Sequence, residues 1–319
     1  MNESYVIGVD IGGNNTVIGI VDNRGNILYR AQIKTGDYST GENYVQALGN
    51  AINDLIAQSN LQGEVRGIGI GAPNGNMNNG TIEKAANIAW TKSGAVPIAK
   101  MLTETTGLKC KVSNDANAAA AGEMAYGVAR GLKDFIVLTL GTGLGSGIVS
   151  NGQLIVGHDG SAGELGHSIL VRNNGRPCGC GRSGCLETYA SATGVARTAR
   201  EFLELKTDES LLREINDRPI TSKDVFLAAE KGDRLAIDIF DYTAKMLGLA
   251  ICDFITFSSP QAIILFGGLA HAGKFLTEPL QKVISDNILY VYEGKTRILL
   301  SNLNDSEAAV LGASALAWE

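Results

Sequence analysis

The sequence predicts an α/β protein built from two copies of one architectural cycle. Three observations predict it. The chain opens with a strand, a glycine-rich turn, a strand, a turn and a strand over residues 5–34. The same order returns over residues 135–156. Segments with apolar residues at helical spacing follow each cycle and alternate with further strands. Residue identity between the cycles is low, so the duplication shows in the order of elements.

In the first cycle, the apolar run Tyr5–Ile11 reads as a strand. A second strand over 16–21 follows the Gly-Gly-Asn-Asn turn, and a third, Ile27–Lys34, follows the turn at 22–26. Val45, Leu48, Ile52, Leu55 and Ile56 mark one face of a helix over 44–56. A strand at 65–70 ends on Gly71-Ala72-Pro73. A helix at Ile98–Thr106 precedes strand Lys109–Ser113 and an alanine-rich helix that starts at Asp115. In the second cycle, Phe135–Leu140 is a strand, 141–145 a glycine turn, and 146–150 and 153–156 strands. Helices are expected at 195–205, 222–231 and 233–257, a strand at 261–266, a helix at 275–286, a strand at 298–301 and a closing helix at 306–318. Asp305 or Ser306 is placed to cap that last helix.

Composition narrows the function. The chain has 319 residues, 45% of them hydrophobic, enough for one large or two medium domains, each with its own core. Its 40 glycines cluster in short motifs without a collagen-like period, which suggests tight turns and close backbone–ligand approaches. A formal charge of −6 and the absence of any Lys/Arg run disfavour a nucleic-acid partner. No stretch of about 18 uncharged apolar residues exists to span a membrane. The first apolar run is short, contains Asp10 and lacks a basic leader, so no signal peptide is expected and the reading is cytoplasmic. In a reducing compartment, the crowding of Cys178, Cys180 and Cys185 points to metal binding. Cys110 and Cys252, alone in apolar contexts, read as inert core residues.

Two loops suit phosphate. In Asp10-Ile11-Gly12-Gly13-Asn14-Asn15, glycines let backbone N–H groups turn toward an anion, and Asp10 can hold magnesium through water. Taken alone, this stretch also reads as a plain hairpin turn. Gly141-Thr142-Gly143-Leu144-Gly145 stands in the matching place of the second cycle, where Thr142 offers a hydroxyl and Gly143 an unobstructed N–H. Neither is a Walker A loop, because the Lys-Ser/Thr ending is missing. Gly267-Gly268, after the strand at 261–266, suits packing against a flat nucleotide moiety, or is simply a strand-end turn.

Asp115 stands where a strand ends and a helix begins. It reads either as an N-cap or as the carboxylate that accepts a hydroxyl proton during phosphoryl transfer, with Asn114 beside it to orient the hydroxyl. The alanines behind it predict close packing against another element. His167, Cys178, Cys180 and Cys185 offer a complete tetrahedral set for a structural zinc ion, with glycines interleaved; the plainer alternative is a cluster of buried or redox-active thiols. Such an ion would gather Glu164 and Glu187 into one neighbourhood. With Asn87, these carboxylates suit bidentate recognition of sugar hydroxyls, and the second nitrogen of His167 remains available to the sugar.

Together these segments resemble the ROK family of bacterial sugar kinases and related repressors, along essentially the whole chain. The most specific parts are Gly163-Glu164-Leu165-Gly166-His167 and the stretch from Cys178 to Glu187; residues 10–13, 71–73, 87–90, 114–123 and 141–147 add to them. The resemblance implies an actin-like (ribonuclease H-like) fold of two lobes, with ATP and sugar in the cleft between them. On that basis the smaller lobe is expected at 1–115 plus 302–319, and the larger, with the zinc site, at 116–301. The resemblance further implies Asp115 as the catalytic base and Asn87, Asn114, Asp115, Glu164, His167 and Glu187 as sugar contacts. It implies ATP with Mg2+ at the phosphate loops and Gly267-Gly268, structural Zn2+, and a homodimer or homotetramer. Two positions depart from the family pattern: Asn14 and Asn15 replace Thr and Lys, and Asn74 replaces a commoner Gly near the expected sugar site.

The expected activity is transfer of the ATP γ-phosphoryl group to a hexose, first of all to the 6-hydroxyl of glucose. Fructose, mannose, allose and N-acetylhexosamines stand as alternatives. A sugar-sensing repressor of the same family needs an N-terminal helix-turn-helix, and a phosphate loop already at Asp10 predicts its absence. An actin- or chaperone-like ATPase has no evident use for the cysteine cluster.

Overall fold

A computed structural model describes residues 4–318, apart from the side chain of Asp305. Residues 1–3 and 319, which the expected lobes include, lie outside the described residues. The chain divides into two compact units. One comprises the chain through Leu132, the segment Gly147–Gly163, and the chain from Asn302; the other comprises Lys133–Ser146 and Glu164–Ser301. The expected boundary after residue 115 falls at the start of a helix, and the contacts group that whole helix with the first unit.

The first unit contains β1 (Tyr5–Ile11), β2 (Asn15–Asp22), β3 (Ile27–Lys34), α1 (Gly41–Ser59), β4 (Val65–Gly71), the short hairpin β5 (Gly75–Asn76) and β6 (Thr81–Ile82), α2 (Ile98–Thr106), β7 (Lys109–Ser113) and α3 (Asp115–Ala125). Its sheet has the order β3-β2-β1-β4-β7. The first three strands are an antiparallel meander, and β4 and β7 run parallel to β1. Alternation along β1 distributes its side chains. Ile7, Val9 and Ile11 enter the core with Tyr44, Leu48 and Ile52 of α1, while Val6 packs on the opposite face with Val310 and Leu311. Asp10 falls on that second face by the same alternation.

The second cycle repeats the plan with β8 (Phe135–Leu140), β9 (Leu144–Ser150), β10 (Gln153–Leu154), α4 (Glu187–Ala190), α5 (Ala192–Leu205), α6 (Ser222–Glu230), α7 (Arg234–Ser258), β11 (Ala262–Phe266), α8 (Lys274–Asn287), β12 (Arg297–Leu300) and α9 (Asp305–Ala315). Its sheet has the order β10-β9-β8-β11-β12, strand for strand the order of the first.

The alanine-rich α3 packs against α9, as its small side chains predict. A Cβ on Gly122 would strike the backbone of Gly312, and one on Gly312 would strike the Ala118 carbonyl. The N-cap alternative for Asp115 falls, and one capping expectation needs correction. Asn114, not Asp115, caps α3, its Oδ1 accepting the Asn117 N–H at 2.7 Å. Asn304, not Asp305 or Ser306, caps α9, its Oδ1 accepting the Ser306 N–H at 3.1 Å. In both strings an Asn precedes the expected residue and takes the extended backbone that a cap requires. Among the described residues, no helix is long and apolar enough to cross a membrane.

Candidate active site

Strand register builds the first half of the site. Asp10 pairs with Gly71, and Gly71 with Ser113, so the ends of three parallel strands lie level. Open α/β sheets bind ligands at such carboxyl ends. Asn114 and Asp115 follow directly. With Asn114 serving as cap, the Asp115 carboxylate is released from that duty and has no protein hydrogen-bond partner among the described residues. Burial, with the Asp10 carboxylate adding to it, pushes Asp115 up to about 7. The residue stays open to solvent at the first helical turn, so water screens part of this push. Burial also raises the pKa of Asp10.

The first glycine loop joins β1 to β2. The Gly12 N–H donates to the Asn15 carbonyl at 3.0 Å, and the Asn14 carbonyl accepts the Thr35 N–H at 2.9 Å. The N–H groups of Gly13 and Asn14 have no protein partner among the described residues, and the side chains of Asn14 and Asn15 are exposed. Gly13 lies against Asn87, where a Cβ would overlap the Asn87 Cβ and carbonyl. The loop carrying Asn87 is pinned twice. The buried Thr91 hydroxyl bonds the Ala85 N–H at 3.0 Å and the Ile88 carbonyl at 2.8 Å. Asn74, in the left-handed region at φ 56°, donates its amide to the carbonyls of Glu83 and Lys84, both at 3.1 Å. A backbone of that kind suits Gly, and Asn is among the side chains that best tolerate it.

The second glycine loop joins β8 to β9. Its Gly141 and Thr142 carbonyls accept the Ala192 N–H at 2.9 Å and the Thr193 hydroxyl at 2.8 Å. Its Leu144 N–H donates to Glu187 Oε2 at 3.0 Å, and its Gly145 N–H to Thr139 Oγ1 at 3.1 Å. The N–H groups of Thr142 and Gly143 and the Thr142 hydroxyl have no protein partner among the described residues. Of these, the sequence singled out the Thr142 hydroxyl and the Gly143 N–H.

Gly267, at φ 96°, packs on the Leu140 backbone where β11 ends beside β8. Next to it is a cavity of about 490 Å3, lined by Gly141, Thr142, Phe226, Phe240, Gly268 and His271, with Ser222 and Lys223 also on its wall. The sequence singled out Thr142 and Gly268. It missed Ser222, Lys223, Phe226 and His271, which come from distant elements and form no local motif.

The cysteine cluster closes as its spacing predicts. The ligand atoms of His167, Cys178, Cys180 and Cys185 all lie within 4.8 Å of one another. Cys180 Sγ is 3.6 Å from Cys185 Sγ, and Cys178 Sγ is 3.7 Å from His167 Nδ1. Tetrahedral zinc with bonds of about 2.3 Å to sulfur sets neighbouring sulfurs about 3.8 Å apart, so the donor set and its dimensions fit that ion. Hydrogen bonds from Arg182 pull Cys180 down to about 6, while burial pushes Cys185 up to about 12. His167 presents Nδ1 to the thiols, which leaves Nε2 on the other side of the ring.

Glu164 begins the 3₁₀ turn that carries His167; its carbonyl accepts the His167 N–H at 3.0 Å and its side chain is exposed. Arg176, buried two residues before Cys178, anchors the knuckle through an ion pair with Glu201 and hydrogen bonds to Thr198 Oγ1 and the Thr188 carbonyl. The structure therefore gathers the named residues in two sets: Asp10, 12–15, Asn87, Asn114 and Asp115 in one unit, and 141–145, Glu164, His167, the cysteines, Glu187, Gly267 and Gly268 in the other.

Paired meander-plus-parallel sheets with glycine hairpins at corresponding strand ends define an actin-like α/β fold. The chain belongs to the ROK family, whose model matches residues 6–319. It is 37% identical to a glucokinase of Halalkalibacterium halodurans over 88% of this chain and 86% of that one. It is 35% identical to a glucokinase of Thermotoga maritima over 100% and 99% of the two chains. A solved ROK family glucokinase from Streptomyces griseus, in complex with glucose and AMPPNP, superposes with a TM-score of 0.77 at 33% identity, covering 99% of each chain.

Proposed function

We infer that this chain is an ATP-dependent hexose kinase that phosphorylates glucose. The observation that carries the reading is the Asp115 carboxylate, free of capping and pushed toward neutral pH at the ends of three parallel strands. The glucokinases at 35–37% identity support ATP as donor and glucose as acceptor.

Asp115 accepts the proton of the sugar hydroxyl as its oxygen attacks the γ-phosphorus. The bond from that phosphorus to the bridging oxygen breaks, and ADP leaves. A base with a pKa near the working pH suits this step. The free N–H groups of Gly13, Asn14, Thr142 and Gly143 stabilise phosphate charge. The mainly apolar cavity beside Gly267 and Gly268 takes the adenine. Magnesium bound with ATP would be held at Asp10 and supply charge neutralisation. The sugar is held by Asn87, Asn114, Asp115, Glu164, His167 and Glu187. Asn114 serves through its amide nitrogen, since its oxygen caps α3, and His167 through Nε2.

Zinc in the cysteine–histidine cluster would be structural, a closed four-ligand knot with no position for water. The reading places the enzyme in the cytoplasm, with its ATP, as a homodimer or homotetramer. A coupled ADP assay over glucose, fructose, mannose, allose, N-acetylglucosamine and N-acetylmannosamine tests the function. The highest kcat/KM is expected for glucose; no sugar-dependent ADP would overturn the reading.

A further inference from the structure

We propose that Glu187 is a bracket between the cysteine–histidine cluster and the second glycine loop, so that the cluster positions the phosphates of ATP as well as the sugar. The inference rests on the kinase reading above. It deepens that reading by giving Glu187 a task that needs no sugar.

The geometry is specific. One carboxylate oxygen, Oε2, accepts the Leu144 N–H at 3.0 Å; the other, Oε1, lies 3.8 Å from Cys178 Sγ. The same carboxylate fills the space beside Gly143, where any Cβ would overlap Oε2. Two further contacts tie the same segments. Ser146 Oγ, on the strand leaving the loop, accepts the Leu165 N–H at 3.1 Å, and Gly166 lies so close to the Leu144 carbonyl that no side chain fits between them. Leu165 and Gly166 are the residues immediately before His167. Both ends of the cluster, His167 and the cysteines, thus bear on the start of β9.

The opposite flank of the loop is held by Ala192 and Thr193 at the start of α5. Its Gly141, Thr142 and Leu144 backbones are therefore fixed from both sides. The free N–H groups of Thr142 and Gly143 lie between those fixed points. Removing the Glu187 contact releases Leu144, one residue from Gly143. A preorganised anion site loses affinity when its donors must be ordered by the ligand itself. One hydrogen bond to a charged acceptor corresponds to about a tenfold change in binding.

The experiment measures affinity for a non-hydrolysable ATP analogue by calorimetry, with magnesium and no sugar, on zinc-loaded full-length protein. Zinc content and melting temperature are checked for each variant. Glu187→Asp keeps the charge but withdraws the carboxylate from Leu144, and should bind the analogue about tenfold more weakly. Glu187→Gln keeps an acceptor at the same reach and should restore most of the loss. Glu187→Ala should match or exceed the Asp variant. If the Asp and Gln variants bind the analogue as tightly as wild type while glucose affinity falls, Glu187 is a sugar contact only and the bracket is refuted. If wild type itself binds no analogue, the kinase reading falls and the bracket with it.

Discussion

Residues 10–15 and residues 141–145 close the same hairpin in two sheets of the same strand order, yet they are held by different means. The first loop is backed by Asn87 and leaves two amide side chains exposed at Asn14 and Asn15. The second is bolted at three backbone groups by residues of α4 and α5 and their margins. Duplicated topology supplies the place, and the side chains packed behind it decide the chemistry. The helices following the last strands diverge in the same way. Asn114 caps α3 and Asn304 caps α9, and at the same distance along each helix stands the glycine of their mutual contact, Gly122 or Gly312. Only the first of these helices starts beside Asp10, whose charge helps raise the Asp115 pKa.

The largest effect is expected where the halves differ most. Asp115→Asn should lower kcat by about a hundredfold to ten-thousandfold while glucose binding, read by calorimetry, is kept. Near-normal turnover would sink the assignment of the base. Wild-type kcat should rise with pH and level off above about 7, because only the deprotonated carboxyl accepts a proton. Stability should move the other way. Burial raises the folded pKa above the ordinary aspartate value of 3.8, so the folded chain favours the protonated form. That contribution is fully present below about pH 4 and is lost as pH rises through about 7. Asn cannot ionise, so the variant should melt above wild type at pH 8, with the gap closing toward pH 4.

Cys180→Ser comes next. With one ligand gone, the chain should lose its zinc, read by metal analysis, and weaken in glucose affinity by about tenfold to a hundredfold. A fully active, metal-free variant would rule out the structural-zinc reading. Glycine substitutions then separate the two loops. Gly143→Ala must displace Glu187 and should raise the KM for ATP. Gly13→Ala must displace Asn87 and should raise the KM for sugar. Overpacking of this kind costs about 1–3 kcal/mol. Both loops face phosphate in this reading, so the contrast lies in the residue behind each; equal changes in both KM values for the two variants would mean that Glu187 and Asn87 do not set the loops apart.

The sequence made the framework legible because its apolar or alternating segments are bounded by glycine and polar turns. Tyr5–Ile11, Ile27–Lys34, Lys109–Ser113 and Phe135–Leu140 appear with the expected bounds. The β5–β6 hairpin escaped because two-residue strands in an Asn-rich stretch carry no pattern. The four-residue α4 escaped behind the cysteine motif for the same reason. The cysteine–histidine cluster was readable because its ligands and glycines are crowded into one segment. The bond from Leu144 to Glu187 was not, since it joins positions 43 apart in sequence. The cavity residues Ser222, Lys223, Phe226 and His271 converge only through the packing of separate helices and turns. Which of several polar residues caps a helix was equally hidden, because the local backbone selects it.

That last point sets the smallest test. Asn304→Ala removes the Oδ1 acceptor of the Ser306 N–H and should cost about 1 kcal/mol of stability, read by chemical denaturation. The cap lies at the start of α9, while the glycine contact with α3 lies farther along the helix at Gly312. Fraying of the first turn therefore leaves the contact in place, and kcat and both KM values should stay at wild-type levels. A fall in kcat alongside the stability loss would mean that order at the start of α9 reaches Asp115 through the Gly122–Gly312 crossing. The two helices would then be one catalytic support, and the contrast between a working helix start and a merely structural one would be wrong.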